Sequence, residues 1–233
     1  MRIKTVILIL SSVLLAACSK MEDGAFRDDA SYAYPADETE EPQGRVLEES
    51  FIETGTLAIG PEGKRALSVE KQLFLVYNLE SIKKIPNGTA VVAEYSFVIG
   101  VPVSAGFDDV VYIRTIEQLS ADEPGWADGM VSSDPVDIVA DAFTSASSGY
   151  LNIHYRCPMS GTLQHEFRLQ RGSGDTEYYF IHDSKNDDGT ILQDGICTFS
   201  LPGTLVDGAK IQIHYLSLSN TSETFTIEYS DWK

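Results

Sequence analysis

From Phe51 to the end of the chain, short segments with alternating apolar and polar residues follow one another, rich in β-branched and aromatic side chains. Successive side chains of a strand point to opposite faces, so an alternation with period two predicts strands that bury one face. Stretches of turn-forming residues, such as GPEGK, IPNGT and PVSAGFD, separate these segments. No long helical periodicity interrupts them, and the fold class is therefore predicted to be all-β.

The first group of segments predicts a small barrel. Its strands are expected at residues 54–59, 72–79, 89–101 and 109–116. Several short strands in so little chain are typical of an OB-like barrel, which closes on itself and leaves few exposed strand edges. We expect this OB-like β domain to cover residues 50–122.

A polar stretch, LSADEPGWADGMVSSDP at 119–135, predicts a domain boundary because it holds turn residues and little apolar content. After it, the apolar residues of 136–145 alternate and favour a strand. Further strands are expected at 149–157, 163–170, 176–183, 195–200, 209–218 and 223–230. Repeated short strands with Gly-rich turns are typical of a β-sandwich, which we expect over residues 133–233.

The N-terminus indicates export. Residues 1–17 combine a cationic start, an apolar run and a small-residue end, which is the pattern of a signal peptide. The apolar run is shorter than the roughly 20 residues of a membrane-spanning helix. LAAC at 15–18 resembles the lipobox of bacterial lipoproteins. This resemblance implies cleavage between Ala17 and Cys18 and lipidation of Cys18. We expect an outer-membrane lipoprotein that faces the periplasm or the cell surface.

The stretch after the lipidated cysteine is strongly acidic. Between Ser19 and Glu49 there are ten acidic and three basic residues and almost no periodic apolar pattern. Such a segment buries too little surface to offset its ordering entropy, so residues 18–49 are predicted to form a flexible tether. Losing Arg2 and Lys4 with residues 1–17 moves the formal charge from −18 to −20. This charge repels phosphate backbones, so nucleic acid is excluded as a partner and the membrane is contacted by the lipid anchor only.

Two cysteines remain after lipidation of Cys18, namely Cys157 and Cys197. In an exported chain they are candidates for one disulfide. The alternative is that both are buried small hydrophobic residues, and the sequence leaves the two readings open. Two cysteines forty residues apart do not supply the regular four-ligand spacing of a structural zinc site.

The four histidines are expected to line strands and not to bind a metal. In YLNIHYRC, the alternation places His154 on the wetter face, opposite Leu151 and Cys157, and His214 is placed likewise on its own strand. The side that His182 faces is ambiguous, and His165 in LQHEF is expected to be exposed. None shows the i,i+4 or His-x-Glu spacing of a strong metal motif, so no metal and no other cofactor is predicted.

Other catalytic patterns find no support. The nearest match to a serine-nucleophile elbow, PVSAG around Ser104, has Pro102 where the tight turn needs glycine. HDSKNDDGT at 182–190 resembles an acidic calcium loop, but Gly195 stands where the bidentate glutamate belongs. A solvated hairpin tip is the favoured reading, and no catalytic residue is predicted.

Three stretches carry a family resemblance: SSGYLNIHYRCPMSG, HEFRLQR and YYFIHDSKNDDGT. Together with the lipobox and the acidic tether, they resemble the NigD-like lipoproteins of Bacteroidota. The resemblance implies an N-terminal OB-type domain followed by a C-terminal β-sandwich. Its motifs are a core strand and a strand ending in a polar turn, so they transfer no catalytic role.

The function expected from the sequence is that of a lipid-anchored, non-catalytic cell-envelope protein that binds an envelope or extracellular partner, either a protein or a glycan. One alternative is a bacteriocin-immunity-type protein, whose acidic surface would complement a cationic toxin. Another is an envelope hydrolase acting on glycans, which would need a cleft with two carboxylates or a histidine of shifted pKa. A structural adhesin with an unpaired edge strand is a third.

Overall fold

The computed structural model describes residues 44–126, 133–161 and 163–231. Within these ranges almost all regular structure is strand, and the helical residues are confined to two 3-10 turns, Pro61–Gly63 and Leu79–Ile82. The prediction of an all-β chain is confirmed. In the same ranges, no helix has the length and apolar character needed to cross a membrane. The predicted signal peptide, Cys18 and the tether up to residue 43 lie outside the described residues.

The N-terminal part is a closed barrel. Its strands are β1 (Arg45–Val46), β2 (Phe51–Ile59), β3 (Arg65–Val69), β4 (Gln72–Val76), β5 (Ala90–Ile99) and β6 (Asp109–Gln118). Their order is β1-β5-β2-β3-β4-β6, and β5 also pairs with β6. All pairs are antiparallel except β4 with β6. Five strands closed in this order form an OB-type barrel, as predicted.

Alternation builds the barrel core. Leu57, Leu67, Phe74 and Val111 point inward from four different strands and are almost fully buried. A register shift between Glu94 and Tyr95 bends β5, and such a bulge increases the local twist. The bend allows β5 to pair with β2 on one side and with β6 on the other, which closes the barrel.

Two elements of the barrel were not predicted. The strand β1 lies inside the predicted tether, where Arg45 pairs with Ile99 and Val46 with Val98. Two residues are too few to show an alternating pattern, so the tether prediction of 18–49 is wrong at its C-terminal end. The strand β3 was missed because its turn to β4 contains no glycine or proline, and Glu70 itself takes the left-handed conformation at φ 49°.

The C-terminal part is a β-sandwich, which confirms the predicted architecture. Its strands are β7 (Ala121–Asp122), β8 (Gly125–Trp126), β9 (Asp137–Ile138), β10 (Ser145–Ser147), β11 (Tyr150–Met159), β12 (Glu166–Arg171), β13 (Glu177–Asp183), β14 (Ile191–Ser200), β15 (Lys210–Leu216) and β16 (Ser222–Glu228). The first sheet has the order β10-β11-β14-β7, with β9 also on β11, and the second sheet has the order β16-β15-β13-β12-β8. Leu151, Ile153, Leu169, Phe180 and Ile213 are among the side chains that fill the space between them.

The predicted boundary at 119–135 is wrong in its first half, because those residues belong to the sandwich. The strand β7 pairs in parallel with β14 of the first sheet, and β8 pairs in parallel with β12 of the second. Both strands are only two residues long, so backbone hydrogen bonds hold them and no alternating apolar pattern marks them. The strand predicted at 136–145 is likewise only Asp137–Ile138, followed by a loop and then β10.

Buried polar side chains join the barrel to the sandwich. The hydroxyls of Thr54 on β2 and Ser145 on β10 are 2.7 Å apart, and Asn152 Nδ2 donates to Ser145 Oγ at 3.0 Å. Asn152 Oδ1 in turn accepts from Thr198 Oγ1 at 2.8 Å. We call these four residues the interdomain polar chain. Asn152 belongs to the GYLNI stretch that carried the family resemblance, and this is its structural role.

Candidate functional site

The outer face of the second sandwich sheet carries a groove with a volume of about 560 Å³. This lies within the roughly 300 to 1,000 Å³ of small-ligand pockets. Its lining comprises Trp126, Ser133, Gln170, Arg171, Gly172, Ser173, Tyr179, Phe180, Ile181, His214, Tyr215, Leu216 and Ser222. Ser133, Gly172 and Ser173 lie in loops, and the other lining residues come from β8, β12, β13, β15 and β16, so all five strands of the sheet contribute. We call this feature the groove.

Exposed aromatic rings form its walls. Trp126 is 70% exposed, and the guanidinium carbon of Arg171 lies 5.3 Å from the centre of the indole ring, a cation–π arrangement. Tyr179 is 40% exposed, and its ring lies 5.0 Å from the imidazole of His214. Large rings left open to solvent beside polar groups are characteristic of surfaces that bind a partner.

Two polar nitrogens in the groove have no hydrogen-bond partner among the described residues. They are Nε of Arg171 and Nε2 of His214, and both atoms are buried. The other imidazole nitrogen of His214 is hydrogen-bonded to Thr224 Oγ1 at 2.8 Å, which orients the ring. Leaving a buried polar group unpaired costs about 1–3 kcal/mol. A bound ligand that pairs with both nitrogens would recover this free energy.

One carboxylate lies beside the groove. Glu177 Oε1 is 3.4 Å from His214 Nε2, outside hydrogen-bond geometry. Hydrogen bonds from the side chain and backbone of Ser173 hold the pKa of Glu177 below its usual value, with a smaller contribution from His214. Glu177 is thus a carboxylate at neutral pH. No aspartate or glutamate is among the described residues lining the groove, whereas glycoside hydrolysis uses a pair of carboxyl groups about 5 to 9.5 Å apart.

His154 is not on a wet face, and this prediction is wrong. The loop of residues 139–144 folds over it, so the residue is only 6% exposed. His154 Nδ1 and Asp141 Oδ2 are 2.7 Å apart, and the Phe143 ring meets the imidazole edge to face. His154 therefore lies inside the wall of the sandwich, away from the groove, while His214 lies within the groove.

The remaining two histidines meet between the sheets. His165, predicted to be exposed, is 1% exposed, and His182 is 2% exposed. His165 Nδ1 lies 2.8 Å from His182 Nε2 and 3.9 Å from the sulfur of Cys157. Cys157 lies on β11 of the first sheet, His182 lies on β13 of the second, and His165 immediately precedes β12 of the second. We call Cys157, His165 and His182 the Cys-His-His cluster.

The alternation of side chains between the two faces of a strand, here called strand parity, explains this cluster. It is also the sequence signal from which the cluster could have been predicted. Cys157 shares the inward parity of Leu151 on β11, as predicted. His165 has the parity of Phe167, and Phe167 pairs with His182 across β12 and β13. The rings of Phe167 and His182 stack 4.8 Å apart with a 7° interplanar angle. The spacing criterion did not reveal this cluster, because it considers residues close in sequence and these three come from separate segments.

The hairpin tip after β13 is not simply solvated, because Asp187 is turned inward. Its side chain is 1% exposed, and Oδ2 is 2.9 Å from His165 Nε2. The carboxylate also accepts hydrogen bonds from the backbone N–H groups of Ser160 and Gly189. These bonds, the one from Ser160 first, hold the pKa of Asp187 far below its usual value. Since three N–H donors face this carboxylate, the structure does not support a calcium loop.

Cys157 and Cys197 are both free. In the pairing of β11 with β14, Cys157 lies opposite Gln193 and Cys197 opposite Ile153, a shift of four residues. Four residues of strand span about 13 Å, whereas a disulfide needs Cα atoms within roughly 7 Å. The disulfide candidate is therefore wrong. Burial raises the pKa of the Cys157 thiol to about 12, so at neutral pH the side chain is a neutral thiol.

Comparisons with known proteins find a matching family model and solved structures with a similar fold. Residues 118–229 match the family model of the NigD-like C-terminal beta sandwich domain. A protein described as toxin related from Parabacteroides distasonis is 14% identical, with a TM-score of 0.58 over 78% of this chain and 94% of that chain. A protein of unknown function from Bacteroides vulgatus is 15% identical, with a TM-score of 0.57 over 78% and 91%. A NigD-like immunity protein from Bacteroides caccae is 20% identical, with a TM-score of 0.48 over 79% and 99%. At these identities the first two structural matches bear on the fold alone. The chain has no match among curated protein sequences.

Proposed function

The chain belongs to the NigD-like family, and from this premise we propose that it is a lipid-anchored, non-catalytic cell-envelope protein that binds a protein or glycan partner in the groove. The groove lies within the matched domain, since Trp126 and Ser222 both fall between residues 118 and 229. The anchoring part of the proposal rests on the lipobox at Ala17 and Cys18. Under this proposal the protein is an outer-membrane lipoprotein that faces the periplasm or the cell surface.

One observation carries the proposal: two buried nitrogens of the groove, which have no hydrogen-bond partner among the described residues, lie near exposed aromatic rings. Arg171 Nε and His214 Nε2 offer directed polar contacts, and Trp126 and Tyr179 offer flat apolar faces. A partner that presents rings or apolar side chains together with hydroxyl or carbonyl oxygens would pack on these aromatic faces and accept hydrogen bonds from these nitrogens. Sugar units and protein loops have this mixed character, and both remain partners to be tested.

The non-catalytic part of the proposal follows from the chemistry around the groove. His214 and Glu177 are the groups that a hydrolase would use there, but Glu177 is held as a carboxylate and has no second carboxylate opposite it in the described lining. In the two-carboxylate mechanism of glycoside hydrolysis, the general acid is a carboxyl group with a raised pKa. The geometry therefore favours binding over turnover.

The test uses the chain from Ser19 onward, which avoids the lipid and keeps all described residues. The immobilised chain is exposed to envelope extract and to isolated envelope polysaccharides, and the affinity of any retained component is measured. We expect Trp126→Ala and Arg171→Ala each to weaken binding at least tenfold.

Matched controls are available on the same domain. Ile191 is 68% exposed outside the groove, and Arg168 is an exposed arginine on β12 that does not line it. Ile191→Ala and Arg168→Ala should bind like the unaltered chain. Equal losses in all four variants, or cleavage of a polysaccharide by the purified chain, would overturn the proposal. Capture of a cationic protein by the groove would identify the immunity-type version.

A further inference from the structure

The hydrogen bonds of the two buried histidines determine where their protons lie. His165 Nε2 faces Asp187 Oδ2 at 2.9 Å, and His182 Nδ1 faces the carbonyl oxygen of Pro135 at 3.1 Å. A carbonyl and an ionised carboxylate only accept hydrogen bonds, so both of these outer nitrogens carry a hydrogen. A neutral imidazole has one N–H group. The two inner nitrogens, His165 Nδ1 and His182 Nε2, are consequently lone-pair atoms in the neutral rings.

These two lone pairs point at each other. The inner nitrogens are 2.8 Å apart, a distance at which two lone pairs repel unless a positive centre lies between them. That centre is either an additional proton, which makes one ring an imidazolium, or a metal ion. Phe167 stacks on His182 and both histidines are almost fully buried, which disfavours an imidazolium on His182. Asp187 would stabilise an imidazolium on His165, and the NMR experiment below separates that case from a metal ion. A metal ion would satisfy both lone pairs at once.

The sulfur of Cys157 completes a set of three donors. The sulfur and the two inner nitrogens all lie within 4.8 Å of one another, and all three residues are buried. Bond lengths of about 2.0–2.1 Å to nitrogen and 2.3 Å to sulfur place two nitrogens about 3.3 Å apart, and sulfur and nitrogen about 3.6 Å apart, at a tetrahedral angle. The observed 2.8 Å and 3.9 Å differ from these values by about 0.5 and 0.3 Å. Small rotations of the rings and the thiol would suffice.

We propose that the Cys-His-His cluster binds a single thiophilic transition-metal ion, copper(I) or zinc(II), between the two sheets of the sandwich. Two imidazoles and one thiolate suit these ions and not the hard oxygen-seeking cations. Copper(I) is the better fit, because zinc takes four ligands in structural sites and the cluster supplies three among the described residues. Binding would release the thiol proton of Cys157 to solvent and would involve no electron transfer.

The partners of the outer nitrogens fit this role. Histidine ligands usually donate their second N–H to a carboxylate or a backbone carbonyl, which sets the tautomer and the ring orientation. Asp187 and the Pro135 carbonyl occupy these two positions. Asp187 is itself held by the backbone N–H groups of Ser160 and Gly189. The ion would link β11 of the first sheet to β13 and to the residue just before β12 in the second, and it would stabilise the end of the sandwich independently of the groove.

Metal loading of the chain from Ser19 onward tests this assignment. The chain is stripped with a chelator under reducing conditions, offered copper(I) or zinc(II) alone and desalted, and the retained metal is counted by elemental analysis. Affinity is measured by competition with a chromogenic chelator. We expect one ion per chain, and at least tenfold weaker binding in Cys157→Ser and in His182→Gln. Cys197→Ser and His214→Gln, which lie outside the cluster, should retain the affinity of the unaltered chain.

Imidazole nitrogen NMR on the unaltered chain guards against variants that fail to fold. Upon loading, the resonances of Nδ1 of His165 and Nε2 of His182 should shift together, while those of His154 and His214 stay in place. An imidazolium signal from the pair that persists with equimolar metal would overturn the assignment in favour of a shared proton. Retention of metal by Cys157→Ser and His182→Gln at the level of the controls would overturn it as well.

Discussion

The packing of Gly189 against β11 makes a sharp prediction. A Cβ atom added at Gly189 would overlap the backbone nitrogen of Ser160 and the carbonyl carbon of Met159. Both atoms belong to the main chain, so no change of rotamer relieves the clash. The φ angle of Gly189 is not in the left-handed region. An alanine there is therefore opposed by the close approach alone, and it would push the hairpin tip away from β11.

The magnitude follows from what the tip holds in place. If it moves, Asp187 loses the hydrogen bonds from Ser160 N–H and His165 Nε2, each 2.9 Å long and each made to a charged group. Such bonds contribute about 1.5–3 kcal/mol apiece, so Gly189→Ala should lower the free energy of unfolding of the sandwich by about 3–6 kcal/mol. This is a large share of a typical domain stability of about 5–15 kcal/mol.

Gly203 provides the matched control. A Cβ at Gly203 would meet nothing within 4 Å, so Gly203→Ala should change the stability by less than about 1 kcal/mol. Urea unfolding gives the comparison, and hydrogen exchange of the amides of β11 and β14 assigns the loss to the sandwich. If the free energies of unfolding of Gly189→Ala and Gly203→Ala differ by less than about 1 kcal/mol, the reasoning about the hairpin tip is refuted.

Two further predictions concern the barrel and its junction with the sandwich. Ser145→Ala removes the centre of the interdomain polar chain and leaves Thr54 and Asn152 without their shared partner. We expect the free energy of unfolding to fall by about 1–3 kcal/mol, and calorimetry should show the barrel and the sandwich unfolding less cooperatively. Thr226→Ala on the exposed face of β16 should show neither effect. In the barrel, burial first and then the hydrogen bond to Glu53 raise the pKa of Tyr95. Because an unfolded tyrosine ionises near pH 10, unfolding releases its proton above that pH, so stability is fully present below about pH 10 and falls as the pH rises further. Tyr95→Phe should reduce this loss of stability at alkaline pH, measured as the decrease of the urea midpoint between pH 8 and about 11. If the midpoint of Tyr95→Phe decreases with pH as steeply as that of the unaltered chain, the burial argument is contradicted.

Alternation predicted the architecture because it reports the one property that long strands must have, a buried face. The segments around β5, β6, β11 and β13 were therefore placed correctly. The elements that escaped, β1, β7 and β8, are two residues long and are held by main-chain hydrogen bonds to strands distant in sequence. Nothing in their side chains records these pairings.

The histidines show the limit of the same reasoning at the site. Parity correctly placed Cys157 inward, but whether the opposite face is wet depends on what folds over it, and the loop of residues 139–144 covers His154. The meeting of His165 and His182 depends on the register of β12 with β13. The inward turn of Asp187 depends on a hairpin tip that reaches another strand. Local sequence periodicity does not predict strand register or long-range packing. The groove and the cluster could therefore be identified only from the folded structure.

The placement of β7 and β8 bears on how this chain can be divided. Between Ala121 and Trp126 the polypeptide crosses from the edge of one sheet of the sandwich to the edge of the other, and it does so immediately after the last barrel strand ends at Gln118. A fragment that begins at residue 133 would lack the edge strands β7 and β8, one from each sheet, and would therefore also lack Trp126. The sandwich with both edge strands starts at about residue 119, and a chimera that exchanges the complete groove between such proteins should be joined there.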